Sequence, residues 1–333
     1  MRAIQIKHPG GLENLVVNNI QESEPGPGQV CVRWHASSLN YHDYLVALGA
    51  IPVADGRVPM SDGAGEVIAV GESVTRWRIG DKVMSLFFPN WLEGDASLNK
   101  MSAVSGETVD GYAVESSCVS AEALTAMPDN YSYAQASTLP CAALTAWRGL
   151  MVEGRLKSGA SVLIQGSGGM SLFALQLAKA AGASVFATSS SDEKLHRMQA
   201  LGADHLINYK TDERWGKTVF KQSQGGVDHV LDVGGTTTMN QSIEAARIGG
   251  SIISIGILGG RKGEITFPKL FFKQLHIHGI AVGSRAMQED MLDFINQHKL
   301  VPVMDRSFAL EQLADAFRYQ ESGQHFGKIV VEY

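Results

Sequence analysis

One stretch decides the fold class of this chain: Ser161-Val162-Leu163-Ile164-Gln165-Gly166-Ser167-Gly168-Gly169-Met170-Ser171. An apolar run typical of a buried strand ends in a glycine-rich turn, and a helical pattern follows from Leu172 to Ala181. A second apolar run at Ser184–Thr188 begins about 20 residues later, which is typical of a dinucleotide-binding unit. Gly166 would permit the tight turn, and Gly168 would let the backbone approach a pyrophosphate at the helix start.

Strands and helices alternate along the chain on both sides of this stretch, from about Pro128 to about residue 299. That alternation predicts an α/β fold with a doubly wound parallel sheet. The first third carries short alternating or β-branched runs separated by turns, which predicts a β-rich domain. We therefore expect a β-rich domain over 1–125 that takes back 300–333, and a dinucleotide-binding domain over 126–299.

Composition excludes several function classes. The chain has 333 residues, 44% hydrophobic and 19% charged, which is ordinary for a globular protein. Its net charge of −6 argues against a nucleic-acid or anionic-membrane partner, because both require a basic face. No apolar run reaches the length of a membrane span or signal peptide. Three widely spaced cysteines predict no disulfide framework and a reducing, cytoplasmic location.

The segment from about Phe87 to Gly111 has no clear periodicity, although aromatic residues stand at its start. Long irregular stretches within compact domains are usually functional or mobile. Two interpretations remain open here, a surface lobe and a wall of a substrate pocket.

The end of the second strand indicates which dinucleotide binds. NAD-binding proteins usually place a carboxylate there, but this chain has Thr188-Ser189-Ser190-Ser191. Hydroxyls do not repel a 2′-phosphate, and Lys194 follows one turn later, so we favour NADP(H) over NAD(H). Ser190 and Glu193 also have the spacing of a helix capping box, which requires no ligand.

The chain resembles the medium-chain dehydrogenase/reductase superfamily, in its zinc-independent quinone oxidoreductase-like or alcohol dehydrogenase-like branch. The motifs that carry the resemblance span nearly the whole chain: Ser38–Asp43, Pro59–Val67, Gly80–Val83, Leu139–Trp147, the glycine loop, Gly202–Asp204, Ile207–Tyr209 and Gly327–Val330. The resemblance implies a GroES-like β domain, a Rossmann domain, and a homodimer joined through a strand near 265–280.

The resemblance also implies that the zinc site of related enzymes is missing. The residues at the ligand positions are Asn40, Ser61 and Cys141, and one thiolate does not make a tetrahedral site. Without a Lewis acid, a conjugated acceptor is the easier substrate, because an enone, enal or quinone spreads the incoming negative charge. We therefore expect an NADPH-dependent, zinc-independent reductase that acts on a small molecule.

Two other functions stay open: a zinc-free alcohol dehydrogenase that acts on activated alcohols, and a non-catalytic NADPH-binding or sensing protein. The first would be distinguished by its substrates. The non-catalytic alternative would be favoured if Asn40 were replaced, but this chain retains Asn40.

Site residues follow from the resemblance, position by position. Asn40 would lie beside the nicotinamide or substrate, and Tyr41 and Asp62 are candidate catalytic residues, although Asp62 could simply brace a loop. The remaining candidates would bind the coenzyme: Thr145, Gly166, Gly168, Gly169, Met170, Ser189, Ser190, Lys194, Tyr209, Gly256, Ile257, Val282, Gly283, Ser284 and Lys328. Plain alternatives are helix capping for Thr145, a strand-end aromatic for Tyr209 and a solvated charge for Lys328.

Overall fold

Strands and helices alternate along most of the chain in the computed structural model, which describes residues 1–333. The strands are β1 (Arg2–Ile6), β2 (Leu15–Asn19), β3 (Gln29–Ser38), β4 (Ala64–Val70), β5 (Lys82–Ser85), β6 (Ser116–Ser120), β7 (Leu124–Ala126), β8 (Ser161–Gln165), β9 (Ser184–Ser189), β10 (His205–Asn208), β11 (Val227–Asp232), β12 (Ala246–Ser254), β13 (His276–Gly279), β14 (Met304–Ala309) and β15 (Lys328–Glu332). The α-helices are α1 (Tyr41–Ala47), α2 (Tyr133–Ala136), α3 (Leu144–Trp147), α4 (Gly169–Ala180), α5 (Asp192–Ala200), α6 (Trp215–Gln222), α7 (Met239–Ala245), α8 (Phe267–Phe272), α9 (Arg285–His298) and α10 (Leu313–Glu321).

These elements form two units. The first unit contains Met1–Leu144 and Val282–Tyr333, and the second contains Thr145–Ala281. The expected boundaries near 125 and 300 therefore lie inside the first unit. The first unit continues to Leu144 and resumes at Val282, so it includes helical residues that the sequence pattern assigned to the dinucleotide-binding domain.

The second unit holds the parallel sheet that the sequence predicts. Its strand order is β10-β9-β8-β11-β12-β13, and every neighbouring pair is parallel. Val162, Leu163 and Ile164 of β8 are fully buried, as expected for a central strand covered on both faces. The order reverses beside β8, so the carboxyl end of β8 lies where doubly wound folds bind their ligands.

The first unit is built on antiparallel pairing. Its large sheet has the order β14-β15-β3-β4-β5-β7, and β6 pairs with β3 outside that path. The final strand β15 is antiparallel to β3, with Val330 opposite Ser38, so the carboxyl-terminal strand belongs to the sheet of the first unit. Trp34 of β3 is almost fully buried in the core of this unit.

One expectation from the cysteine spacing is wrong. Cys31 and Cys118 form a disulfide, although 87 residues separate them. They lie directly opposite one another on the antiparallel strands β3 and β6. Strand register brings them together, and sequence spacing does not reveal register.

The segment from Phe87 to Gly111 contains no helix or strand of regular length. Phe87, Phe88 and Trp91 at its start are buried, whereas Leu98 is 94% exposed. The segment is therefore anchored by its aromatic end and exposed at its tip. In the whole chain, no helix combines the length and apolar character needed to cross a membrane.

Candidate coenzyme site and active site

The glycine loop after β8 has the geometry that its sequence predicts. Gly166 has a positive φ of 75°, a conformation that glycine adopts without steric cost. A Cβ atom placed on Gly166 or Gly168 would meet no atom within 4 Å, so the space in front of the loop is open. Such open space beside exposed N–H groups suits a pyrophosphate.

Helix α4 begins at Gly169, with Gly168 as its N-cap, three residues before the start expected from the hydrophobic pattern. Gly169 and Met170 therefore lie in the first helical turn, where backbone N–H groups have no partner within the helix. The third motif position, Ser171, is buried and donates its hydroxyl to the carbonyl oxygen of Gln165 at 2.8 Å. This bond holds the helix start against the end of β8.

The carboxyl ends of β9 and β10 bring together the residues expected around a 2′-phosphate. Asn208 pairs with Ser189 at the ends of neighbouring strands, and Tyr209 and Ser190 are the residues that directly follow them. Ser190 and Tyr209 are exposed, and Lys194 lies one turn into α5. The nearest carboxylate, Asp192, accepts a hydrogen bond from the Asn208 side chain at 2.7 Å.

The expected capping box is wrong by one position. Ser191, not Ser190, is the N-cap of α5, and its hydroxyl accepts from the N–H of Lys194 at 3.3 Å. Ser190 therefore does not cap helix α5. Short-range spacing could not distinguish these serines, because both precede an acidic first turn.

The other coenzyme candidates lie in both units. Thr145 is inside a continuous helical segment from 139 to 153, so it does not cap a helix start. Gly256 and Ile257 follow β12 in the second unit. Val282, Gly283 and Ser284 belong to the first unit, where Ser284 is the N-cap of α9 and accepts from Met287 at 3.2 Å.

Asn40 lies in a buried polar cluster of the first unit. Lys328 donates to the Asn40 Oδ1 atom at 2.6 Å and to the carbonyl oxygen of Leu39 at 2.7 Å. The Asn40 Nδ2 atom donates to Asp62 Oδ2 at 2.8 Å and to Ser61 Oγ at 3.2 Å. Both amide hydrogens of Asn40 are therefore engaged, and the amide has one fixed orientation.

Lys328 is only 3% exposed, so the alternative of a solvated strand-end charge is wrong. Its ammonium lies 3.6 Å from the carboxylate of Asp62, which is fully buried. Burial raises the pKa of Asp62 to about 6, although Lys328 acts to lower it. Tyr41, by contrast, is 39% exposed.

Asp43 is the second carboxylate of this cluster. It accepts from the N–H groups of Asn40 at 3.0 Å and Ser61 at 2.9 Å. Asp43 thus braces the two chain segments that carry the cluster. His42 contacts Glu107 at 2.7 Å, so it has a structural hydrogen bond.

The positions that hold zinc ligands in related enzymes carry an amide, a hydroxyl and a thiol. Asn40 and Ser61 are hydrogen-bonded to each other, and Cys141 is half-buried. No group of three or more His, Cys, Asp or Glu side chains in the chain is arranged to hold a metal ion.

A polar network that the sequence pattern did not predict lies at the end of β11. Asp232 is fully buried and accepts hydrogen bonds from Gln165 of β8, Ser242 of α7 and the turn that follows β11. A carboxylate at the end of a parallel strand beside the glycine loop is the signal that could have identified it.

Comparison with known proteins identifies the family. Residues 26–129 match the alcohol dehydrogenase GroES-like domain, and residues 169–297 match the zinc-binding dehydrogenase family. A zinc-type alcohol dehydrogenase-like protein of Schizosaccharomyces pombe is 41% identical over 92% of this chain and 91% of its own length. The chain belongs to the medium-chain dehydrogenase/reductase superfamily. The predicted family and fold class are confirmed, and this member is an NAD(P)-dependent oxidoreductase.

Two further superfamily members differ in chemistry. The acryloyl-coenzyme A reductase of Sulfurisphaera tokodaii is 26% identical, over 100% of both chains. The crystal structure of an NAD-dependent alcohol dehydrogenase superimposes with a TM-score of 0.93 at 33% identity, and also covers 100% of both chains.

Proposed function

We propose that this chain is an NADPH-dependent, zinc-independent reductase that transfers hydride to a conjugated carbonyl compound, an enone or enal, or to a quinone. The observation that carries the proposal is the buried Asn40 cluster. It fills two of the three ligand positions of the zinc-dependent enzymes with Asn40 and Ser61, neutral groups that are bonded to each other, and Asn40 also accepts from Lys328.

The preference for NADPH rests on the end of β9. Ser190 is exposed and free of helix capping, and Lys194 and Tyr209 lie nearby. Asp192 is the nearest carboxylate, and Asn208 holds it through a hydrogen bond. Serine hydroxyls and a lysine ammonium stabilise a 2′-phosphate, whereas a carboxylate facing that position would repel it.

The substrate class follows from the donors available. Asn40 and Ser61 are neutral, so neither supplies the Lewis acidity that a saturated ketone requires. A conjugated acceptor needs mainly orientation and a proton, since its own π system spreads the charge. The acryloyl-coenzyme A reductase is named for a substrate of this kind.

The chain's own residues would divide the work as follows. When bound, NADPH supplies the hydride. Lys328 and Asp62 hold the Asn40 amide in one orientation, so Asn40 would offer the substrate a fixed amide group rather than a free N–H donor. Among the catalytic candidates, Tyr41 combines an ionisable hydroxyl with an exposed side chain, so Tyr41 is the candidate proton donor. Asp62 is fully buried and acts through Asn40.

The test is a coenzyme-oxidation assay with EDTA present, using a quinone, an enone, an enal and a saturated ketone, with NADPH and NADH in parallel. We expect activity with NADPH on the conjugated acceptors only. Equal activity on the saturated ketone, or a loss of activity with EDTA, would refute the zinc-free reductase. Activity on alcohols with NAD⁺ alone would favour the alcohol dehydrogenase alternative.

The coenzyme preference has its own variant. Ser190→Asp places a carboxylate against the 2′-phosphate, and we expect the KM for NADPH to rise about 10-fold while that for NADH changes little. Ser158→Asp is the matched control, because Ser158 is exposed and precedes β8 at the opposite end of the sheet. An unchanged KM for NADPH in Ser190→Asp would show that the 2′-phosphate does not bind beside Ser190.

The proposed partner is a second copy of the chain. Strand β13 is an edge strand of the parallel sheet, and its Ile277 is 39% exposed. The neighbouring helix α8 exposes Phe267, Phe271 and Phe272 at 65%, 70% and 74%. We expect a dimer by sedimentation that Ile277→Lys converts to monomer, whereas Ile79→Lys in the first unit leaves it intact. A wild-type monomer would contradict the proposal.

A further inference from the structure

Asp232 is a fully buried carboxylate at the carboxyl end of β11, next to the end of β8 that carries the glycine loop. All of the hydrogen bonds that it accepts through its side chain come from uncharged donors. Buried carboxylates without a cation are costly unless donors occupy both oxygens. The fold must therefore hold these donors in fixed positions around the Asp232 carboxylate.

The two carboxylate oxygens hold different segments. Oδ1 accepts from the N–H of Gly235 at 2.9 Å and from Thr238 Oγ1 at 2.7 Å, which fixes the turn after β11. Oδ2 accepts from Ser242 Oγ and from Gln165 Nε2 at 3.3 Å. Asp232 thus ties this turn to the last residue of β8.

Gln165 continues the connection to the phosphate loop. Its Oε1 atom accepts from the N–H of Val233 at 3.3 Å, and its backbone oxygen accepts from Ser171. Gln165 therefore links the start of α4, through its backbone oxygen, with the turn after β11, through its side chain. A displacement of either segment would be transmitted to the other.

The same turn supports the loop that contains Gly256 and Ile257. The N–H of Gly259 donates to Gly234 at 2.8 Å, and the N–H of Leu258 donates to Val233 at 3.2 Å. A Cβ atom on Gly256 would lie 2.5 Å from the Val233 carbonyl oxygen, so the two backbones are in direct contact. The loop is placed by the turn, and the turn is placed by Asp232.

The strand order places the end of β12 on the side of β8 opposite to β9 and β10, whose ends are proposed for the 2′-phosphate. We infer that Asp232 is a positioning residue that sets the 256–260 loop relative to the phosphate loop, and so controls affinity for the half of the coenzyme away from the 2′-phosphate, the nicotinamide half. This inference rests on the nicotinamide coenzyme of the proposed function and is independent of the substrate. A carboxylate is required because four donors converge on two acceptor atoms. Asn at this position would turn an N–H₂ group toward two of them.

The test compares binding of the whole coenzyme with binding of its adenosine half. For Asp232→Asn in the full chain, we expect the calorimetric Kd of NADPH to rise about 10-fold, with that of adenosine 2′,5′-bisphosphate within about 2-fold of wild type. Equal losses for both ligands would show a merely structural role and overturn the inference. Unchanged affinity for both would also overturn it.

Two further variants keep the result decisive. Asp228→Asn is the matched control on the same strand, because Asp228 bonds Ser161 and Arg247 at the opposite end, and it should leave both Kd values unchanged. Thr238→Val removes one donor to Oδ1, and should weaken NADPH binding by about 3-fold even where Asp232→Asn does not fold. No effect of Thr238→Val in that case would overturn the inference.

The proposed function and this inference fail separately. If wild type binds NADH and not NADPH, the 2′-phosphate proposal is wrong, and the same comparison is made with NADH and adenosine diphosphate. If wild type binds the coenzyme but Asp232→Asn binds it equally well, only the role of Asp232 is wrong.

Discussion

Asp62 in the first unit and Asp232 in the second are both fully buried carboxylates, but their surroundings differ in charge. Asp62 has a buried ammonium 3.6 Å away, and its hydrogen bonds from Ser38 and Asn40 all reach Oδ2. Its Oδ1 atom has no hydrogen-bond partner. Asp232 has no cation, and uncharged donors occupy both oxygens.

The difference indicates two ways to keep a carboxylate inside a protein. A cation offsets charge without controlling direction, so one oxygen can stay unpaired. A set of neutral donors must be placed accurately, because each donor contributes little by itself. The first arrangement should be sensitive to loss of the cation and to pH, and the second to geometry.

The largest effect should come from Lys328→Met. This change leaves Asp62 without a cation and Asn40 Oδ1 without its donor, and we expect unfolding free energy to fall by ~3–5 kcal/mol in urea titrations. Lys179→Met removes an exposed pair with Asp204 and should cost less than about 1 kcal/mol.

Adding Asp62→Asn to Lys328→Met should recover much of that loss, because the uncompensated charge is then gone. A Lys328→Met protein as stable as wild type would show that the ammonium does not offset the charge of Asp62. Failure of the second change to recover stability would assign the loss to packing instead.

A medium effect should appear in the pH dependence of stability. Burial raises the pKa of Asp62 to about 6, above its unfolded value, so the folded protein binds this proton more tightly. The associated stability is present below about pH 4 and is lost as the pH rises through 6, by on the order of 2–3 kcal/mol.

Asp62→Asn lacks this titration, so its unfolding free energy should decline less than that of wild type between pH 4 and 7. The difference between the two curves isolates Asp62 from other carboxyl groups. Parallel curves would mean that the carboxyl of Asp62 is not the group responsible.

The smallest effects should come from single neutral donors. Ser38→Ala removes one donor to Asp62, which keeps Lys328, and should cost ~0.5 kcal/mol. Thr238→Val removes one of two donors to Asp232 Oδ1 and should cost ~1.5 kcal/mol. Urea unfolding measures the loss of stability in both variants. A larger loss in Ser38→Ala than in Thr238→Val would contradict the proposed difference between Asp62 and Asp232.

Much of the fold could be predicted from local pattern. The apolar run Ser161–Gln165 coincides with β8, the run Ser184–Thr188 lies within β9, and the alternation of strands and helices predicts the parallel sheet. The predicted ends of strands and helices were wrong where those ends depend on neighbouring strands or on capping residues. Strand β12 begins at Ala246, five residues before its most apolar run at Ser251, because pairing with β11 extends it.

The candidate site was predictable where it consists of one continuous segment. The glycine loop lies between β8 and α4, as its sequence indicates, whereas Asp232 was not predicted and Lys328 was left with two interpretations. The positions of Asp232 and Lys328 become informative only when their partners are known, and those partners lie far away in sequence.

The sequence by itself determined the glycine loop, because tolerance of the positive φ found at Gly166 is a property of the single residue glycine. Only the tertiary structure decided that Lys328 meets Asn40 across 288 residues and that Gln165 meets Asp232 across 67. It also decided that Cys31 faces Cys118. The physical reason is that strand register and burial, rather than local conformational preference, set which polar groups must satisfy one another.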